Sequence, residues 1–285
     1  AVGAYLYALL ASPHFGLHWP VWAVLPLGAL VAGLFGVLLG APTLRLRGDY
    51  LAIVTLGFGE IVRIFINNLN APVNITNGPQ GISQIDPVRI AGVPLSKTLD
   101  VFGVSFPSVY LYYYLFLALT LLIVFVSIRL EDSRIGRAWV AIREDEIAAQ
   151  AMGIPLLPTK LIAFMTGAAF SGVMGVIYGA QRTFVSPESF TLLASITILA
   201  MVILGGMGSI PGAILGAAAL TILNLDILKT FSEFVRTSLP WIPSQVDPAK
   251  YERLVFGLIL ILMMIYRPQG LIPEARHRAE LEEEA

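Results

Sequence analysis

Long apolar runs alternate with short polar segments along most of this chain. Several runs reach about 20 residues, the length that an apolar helix needs to cross a bilayer. The pattern predicts about eight transmembrane helices, at 1–11, 20–41, 50–69, 108–128, 161–180, 190–207, 210–225 and 254–266. Only the Gly-rich stretch 205–212 separates the sixth from the seventh, and its glycines with Pro211 are expected to break the helix there. The predicted fold is an all-α, polytopic integral membrane helical bundle, with a single transmembrane domain over residues 1–285.

The polar segments predict how the bundle is oriented. Basic residues favour the cytoplasmic side of a membrane. If the chain crosses the membrane eight times, the same side carries the following basic residues: Arg45, Arg47, Arg129, Arg134, Arg137, Arg143, Lys160, Arg267, Arg276 and Arg278. Residues 129–160 are therefore predicted to be a cytoplasmic loop and 267–285 a cytoplasmic tail, with 70–107 as an outer (periplasmic) loop. The first run begins at Ala1 without a basic leader, so we expect an N-terminally truncated chain.

Composition excludes a soluble globular protein. Hydrophobic residues make up 56% of the chain and charged residues 13%, and the mean hydropathy is +0.78; soluble domains carry about 25% charged residues. The net charge of -1 suggests no nucleic-acid partner. With no cysteines, and with His14, His18 and His277 far apart in sequence, neither a metal site nor a cofactor is expected.

The cytoplasmic loop contains an amphipathic segment at 134–160. Read as a helix, it places Ile135, Trp139 and Ile142 on one side, with Arg137 and Glu144 opposite. Such a face suits burial in a groove of a partner protein, and it also suits a helix lying among lipid headgroups.

Small residues recur every four positions in two of the predicted spans. They are Gly28, Ala32, Gly36 and Gly40 in the second span, and Gly167, Ser171, Gly175 and Gly179 in the fifth. In lipid, such stripes let helix backbones approach closely. They predict a tight bundle and say nothing about what it transports.

The third span carries a charged pair where apolar residues are expected. Glu60 lies about 17 Å along the helix from Asp49, close to the bilayer midplane, and Arg63 follows one turn later. Intramembrane ionisable groups are functional candidates. We expect Glu60, Arg63 and a few neighbours to line a translocation route, with the two glycines loosening the helix toward a cavity; those neighbours are Thr55, Gly57 and Gly59. The alternative is a buried structural ion pair.

Catalytic motifs are missing from the sequence. None of the lysines completes a phosphate-binding loop, and there is no nucleophile elbow or metalloprotease motif. The chain is therefore predicted to be a transport protein rather than an enzyme, without a nucleotide-binding site. It must use a gradient or borrow work from an ATPase, and its scarcity of intramembrane charge favours the ATPase.

Five segments, in order, carry a family resemblance: LRLRGDYLAIVTLGFGEIVRI (44–64), TNGPQGI (76–82), EDSRIGRAWVAIREDEIAAQAMGI (131–154), SPESF (186–190) and ILGGMGSIPGAILGA (203–217). Together they resemble permease subunits of ATP-binding-cassette (ABC) importers of the high-affinity branched-chain amino acid type. The resemblance implies a cytoplasmic coupling helix that fits a groove on the ATPase, matched here by 140–153.

The general importer pattern for that helix is Glu-Ala-Ala, three residues, then Gly. Ala148, Ala149 and Gly153 match it, whereas Ile147 stands at the Glu position with Glu146 one place earlier. The expected coupling residues are Arg143, Glu144, Asp145, Glu146, Ala148, Ala149 and Gly153, with the charged ones pairing with the ATPase.

The resemblance also implies partners and a cargo. The partners are a homologous second permease, two ATPase subunits and an extracytoplasmic solute-binding protein, assembled in the inner-membrane bilayer. We expect the outer loop to face the binding protein through Asn77, Gly78 and Gly81, or else to form a self-packed lid. The expected cargo is branched-chain or related amino acids, with urea or short amides as the alternative. A gradient-driven secondary transporter or channel remains the alternative function.

Overall fold

The chain was analysed as a computed structural model, which describes residues 1–44, 49–90, 92–101, 104–238, 252–267 and 270–272. Helices dominate it: α1 (Val2–Leu10), α2 (Val21–Thr43), α3 (Asp49–Asn68), α4 (Ser108–Glu131), α5 (Arg134–Glu144), α6 (Glu146–Ala151), α7 (Leu156–Arg182), α8 (Leu192–Gly205), α9 (Ile210–Ile222), α10 (Leu228–Ser238) and α11 (Glu252–Tyr266). They form two compact units, Ala1–Leu192 and Leu193–Ala285.

Each apolar run predicted from the sequence coincides with a helix. Among the described residues, four helical stretches are long and apolar enough to cross a membrane: Val21–Thr43, Ser108–Glu131, Leu156–Arg182 and Pro187–Gly205. Two shorter apolar helices are Ile210–Ile222 and Gly257–Tyr266. The structure thus has the architecture of a multi-pass helical membrane protein. Arg45, Arg47, 239–251 and the tail from 273, with His277, lie outside the described residues.

The N-terminal unit is built around close packing of α2 on α7. A Cβ placed on Gly36 would lie 2.6 Å from the Phe164 carbonyl oxygen, and one on Gly172 would lie 2.5 Å from that of Gly28. Only glycine fits at such contacts, so the predicted stripe on α2 is an interface. The stripe on α7 divides, because Gly175 and Gly179 approach Ala4 of α1, whereas a Cβ on Gly167 would meet no atom within 4 Å.

The loop from Asn70 to Pro107 folds locally, as its length suggested, but into short strands that the all-α prediction omitted. They are β1 (Ile82–Ser83), β2 (Arg89–Ile90), β3 (Val93–Pro94), β4 (Leu99–Val101) and β5 (Val104–Phe106), with β6 (Phe184–Val185) following α7. All three pairs are antiparallel: β1 with β6, β2 with β3 and β4 with β5. The β1–β6 pair fastens the loop to the end of α7.

One end of the unit gathers the predicted outer segments. The Asp86 amide donates to the Ala11 carbonyl (2.7 Å), and the Ile85 amide donates to that of Thr183 (3.1 Å). The Tyr112 hydroxyl of α4 donates to the Ala180 carbonyl of α7 (3.3 Å). The three connecting segments that eight alternating crossings would place on the outer side therefore meet at this end of the unit. The helices α5 and α6 belong to the connection between α4 and α7.

The C-terminal unit contains the helical hairpin of α8 and α9. The Gly-rich turn between them has positive φ at Gly206 and Gly208, and the Ser209 hydroxyl caps α9 by accepting from the Gly212 amide (3.2 Å). The predicted break at 205–212 is therefore present. A π-helical segment, Leu223–Ile227, leads into α10. The core of this unit comprises Ala200, Leu204, Leu220 and Leu228, packed by Met201, Leu223, Ile259, Leu260 and Met263.

Candidate functional site

The helix α5 begins at a serine cap and packs on its own chain. Ser133 Oγ accepts from the amides of Ile135 and Gly136, each at 3.2 Å. Trp139 Nε1 donates to the Thr159 carbonyl of α7 at 2.8 Å, and Ile142 is buried. Of the apolar face predicted for a partner's groove or for lipid, Trp139 and Ile142 thus pack within the chain, whereas Ile135 is 39% exposed.

A single residue separates α5 from α6. Asp145 ends the first helix with extended backbone, and its Oδ1 accepts from the amides of Ile147 (2.7 Å) and Ala148 (3.1 Å) at the start of the second. An aspartate in that position satisfies amides that would otherwise lack a partner. The continuous helix expected over 140–153 is therefore two helices.

The short helix α6 is fixed to the start of α7. Glu146 Oε1 accepts from Lys160 Nζ at 2.5 Å, Ala149 is buried, and the Ile154 amide donates to the Ala149 carbonyl (3.0 Å). Gly153, with φ of 86°, makes the turn between the helices. The left-handed conformation favours glycine there.

Two large apolar side chains project from α6. Ile147 is 81% exposed and Met152 is 84% exposed. Neither is among the predicted coupling residues, although Ile147 stands at the position of the family's glutamate. Within the expected set, Asp145 and Glu146 are exposed and also bond within the chain, and Ala149 is buried. Arg143, Glu144 and Ala148 are exposed as well.

The charged pair of α3 is a cluster of three residues. Arg63 Nε donates to both carboxylate oxygens of Glu60, at 2.9 and 3.0 Å, and Arg63 Nη2 also contacts Glu60. Arg63 Nη1 reaches Glu188 Oε1 at 3.3 Å. Glu188 lies in the 3₁₀ turn Pro187–Phe190, beyond the end of α7. It stands within the SPESF segment of the resemblance, but nothing in its spacing indicated this contact.

The other expected route residues do not share that cluster. The helix α3 runs unbroken through Gly57 and Gly59, so the expected opening of its backbone is wrong for this structure. Both glycines are exposed, and a Cβ on either would meet no atom within 4 Å. Thr55 donates its hydroxyl to the Leu51 carbonyl one turn back (2.9 Å). Phe58 and Val62 instead line a cavity of about 220 Å³ against α1, α2 and α7.

The outer turn Asn77–Gly81 packs inward. Asn77, Gly78 and Gly81 have φ of 60°, 55° and 70°, and the Asn77 side chain donates to the Gly81 carbonyl at 2.9 Å. Gly78 and Gly81 are buried. The two glycines therefore determine how the loop turns, but they are not part of the exposed surface expected to face a binding protein.

Within the described residues, no group of three or more His, Asp or Glu side chains could hold a metal ion. Two histidines instead contact the outer loop. His14 Nε2 lies 3.2 Å from the Asn74 carbonyl oxygen, and His18 Nδ1 lies 2.6 Å from Asp86 Oδ2.

Apolar helices long enough to cross a membrane, with a capped helix pair at one end of α7 and folded loops at its other end, define the class as a multi-pass membrane protein. The model of the family described as branched-chain amino acid transport system / permease component matches residues 1–264. The chain belongs to this family.

Three curated relatives illustrate the match. The high-affinity branched-chain amino acid transport system permease protein LivM of Salmonella typhimurium is 44% identical, and that of Escherichia coli K12 is 43% identical; each alignment covers 99% of this chain and 63% of the relative. The permease protein LivH of the same description from Salmonella typhimurium is 26% identical over 73% of this chain and 60% of the relative. The chain thus spans less than two thirds of the length of these relatives. No solved structure gives a significant match.

Proposed function

We propose that this chain is a membrane-spanning permease subunit of an ABC importer. It passes branched-chain amino acids inward across the cytoplasmic (inner) membrane and is driven by separate ATPase subunits. Eight helices, α1, α2, α3, α4, α7, α8, α9 and α11, are its proposed crossings. Besides the family, one observation carries the proposal: the large apolar side chains of Ile147, in the first turn of α6, and Met152, directly after its last residue, are exposed, and we call this pair the α6 tip.

The α6 tip has the properties of a docking element. Large apolar side chains exposed on a charged segment indicate a protein contact when they stand on a rigid support. Ile147 and Met152 are almost fully exposed, whereas α6 itself is anchored through buried Ala149 and the Glu146–Lys160 pair. In this proposal Ile147 fills the ATPase groove where other importers place a glutamate, and exposed Arg143 and Glu144 supply charges at its rim.

The partners follow from the same assignment. Two relatives, LivM and LivH, are both described as permease proteins of high-affinity branched-chain amino acid transport systems. We therefore propose a homologous second permease beside this chain, together with two ATPases and a solute-binding protein on the outer side. The surface shaped by the Asn77–Gly81 turn is the proposed landing area for the binding protein.

The translocation route is proposed to pass beside α3. Glu60 and Arg63 provide its charged groups, and the uncontacted helix surface at Gly57 and Gly59 leaves room on the same helix for a second permease. Thr55 lies on the same helix, nearer its start, and is a further proposed residue of the route. An ion pair whose partners are 32% and 23% exposed is accessible to a polar solute.

Reconstitution of the complete importer in proteoliposomes tests the proposal. We expect uptake of labelled leucine that requires ATP and the loaded binding protein. Ile147→Asp is expected to abolish substrate-stimulated ATP hydrolysis, because a charge on the tip cannot be buried in an apolar groove without a large cost. The conservative Ile147→Leu should retain most of the activity.

Two outcomes contradict the proposal. Ion-dependent uptake by this chain without ATPases would make it a secondary transporter, and full coupling in Ile147→Asp would remove α6 as the docking element. Competition by excess urea or acetamide, but not by isoleucine or valine, would show that the cargo is urea or a short amide. The proposed coupling to the ATPase would be unaffected by that result.

A further inference from the structure

A cavity of about 250 Å³ lies at the loop end of the N-terminal unit, apart from both α6 and the Glu60–Arg63 cluster. One part of its lining is residues 18–21, where the first outer loop enters α2, and the other is Asp86, Pro87 and Arg89 of the long outer loop, with Tyr7 of α1. Small-molecule sites are concave and largely preformed, and this volume falls just below the roughly 300–1,000 Å³ of drug-sized pockets. The cavity therefore suits a ligand of a few heavy atoms.

Hydrogen bonds hold the two walls in place. The Tyr7 hydroxyl donates to the Asp86 carbonyl at 2.8 Å, and Trp22 Nε1 donates to the Arg89 carbonyl at 3.0 Å. On the facing wall, the Trp19 amide donates to the Leu10 carbonyl at 2.9 Å. Because these bonds use backbone groups of residues 86 and 89, their side chains can change without losing them.

The lining combines opposite charges with an apolar surface. Asp86 presents a carboxylate that is 25% exposed and is bonded to His18, and Arg89 presents an exposed guanidinium. Trp19, 45% exposed, and Pro20 supply the apolar part. A simple cation would leave the Arg89 guanidinium without a partner, and a simple anion would leave the Asp86 carboxylate with the His18 contact and no contact to the ligand. A small zwitterion with an apolar side chain satisfies all three.

We infer that this cavity is an outer subsite for the α-amino acid substrate. The ammonium group pairs with Asp86, the carboxylate with Arg89, and the side chain lies against Trp19. This inference rests on the proposed function and adds a place where the cargo contacts the permease on the predicted outer face. Carboxylate recognition by a guanidinium is among the stronger polar contacts available to a protein.

Binding to the full-length protein in nanodiscs, without the binding protein, tests the inference. Isothermal titration would use L-leucine, 3-methylbutylamine as a probe with the ammonium alone, and 4-methylpentanoate as a probe with the carboxylate alone. We expect leucine to bind more tightly than either. Asp86→Asn and Arg89→Gln should each weaken leucine binding about tenfold or more, because each removes one charge-assisted contact.

The single-charge probes separate the two contacts. Asp86→Asn should weaken binding of 3-methylbutylamine and leave binding of 4-methylpentanoate unchanged. Arg89→Gln should weaken binding of 4-methylpentanoate and leave binding of 3-methylbutylamine unchanged. Lys97→Gln, an exposed change on the same outer loop away from the cavity, should alter none of the affinities. A thermal melt of each variant identifies any loss of fold, and the probe that a variant still binds shows that its cavity is intact.

The inference is overturned if leucine does not bind at millimolar concentration, or if both variants bind it like the parent protein. ATP-driven uptake by the complete importer is measured in parallel. If uptake is normal but leucine does not bind, or binds both variants like the parent protein, only the proposed subsite is wrong. Uptake without ATP would contradict the proposed function itself.

Discussion

Arg63 of α3 and Glu188 of the turn before α8 form a salt bridge across 125 positions of sequence, with 3.3 Å between Nη1 and Oε1. Arg63 simultaneously binds Glu60, so one guanidinium joins two carboxylates. The side chain of Glu188 is 71% exposed, whereas those of Glu60 and Arg63 are 32% and 23% exposed. The two contacts of Arg63 therefore differ in how freely water can replace them.

That difference predicts unequal effects of removing each carboxylate. Glu60→Gln should lower leucine uptake about tenfold or more, because it removes the bidentate charge-assisted partner of Arg63. Glu188→Gln should reduce uptake less than threefold, since exposed ion pairs contribute little. Initial uptake rates, normalised to assembled complex, measure both. Unchanged uptake and assembly in Glu60→Gln would contradict the assignment of this pair to the translocation route.

The Glu146–Lys160 pair predicts a charge-swap result within this chain. Lys160→Glu would place two carboxylates together and displace α6, so substrate-stimulated ATP hydrolysis should fall. Adding Glu146→Lys should restore it, because the pair is re-formed with reversed charges. Stability should change by less than about 1 kcal/mol throughout, as is usual for partly exposed pairs. Persistent loss in the double variant would instead assign Glu146 a contact on the ATPase.

The packing of α2 on α7 predicts a contrast between two glycines of α7. Gly172→Ala should destabilise the fold by about 1–3 kcal/mol, because its Cβ would overlap the Gly28 carbonyl and the Ala32 side chain. Gly167→Ala, five residues away in the same helix, meets no atom within 4 Å and should be neutral or slightly stabilising. Thermal unfolding in detergent measures both. Equal shifts would contradict the interface.

The cap at Asp145 predicts a local loss of order. Asp145→Ala should destabilise α6 by about 0.5–2 kcal/mol, because the Ile147 and Ala148 amides lose their acceptor. Hydrogen exchange at these amides should accelerate while exchange within α7 stays unchanged. Asp145→Asn retains an acceptor and serves as the matched control. Acceleration in both variants alike would show that the side chain does not cap the helix.

The helical framework could be predicted from the sequence because lipid imposes a long apolar run on each crossing. The runs at 20–41 and 161–180 and the break at 205–212 all coincide with helices and a turn. The short strands could not be predicted, since β1 and β6 are two residues each and pair only after the chain has folded. The division of α5 from α6 had a local signal that was missed: Asp145 followed by Glu146, typical of a helix start.

The candidate sites were predictable only in part. Intrahelical spacing indicated the Glu60–Arg63 pair, because residues three apart share a helix face. Glu188 and the Asp86–Arg89 cavity depend on loops that meet through tertiary contacts, and no spacing reveals them. The importance of Ile147 and Met152 lies in their exposure, which the sequence could not show, since apolar residues of an amphipathic segment are expected to be buried.

The helix α7 connects features that were described one at a time. Its first turn holds Lys160, the anchor of α6, and its last turn is followed by β6, which fastens the outer loop. With 27 residues, it is a rod of about 40 Å at 1.5 Å per residue. In the proposed importer, α7 is thus the direct connection between the ATPase contact at α6 and the loops beside the cavity. Its contact with α2 at Gly172 lies between these two ends.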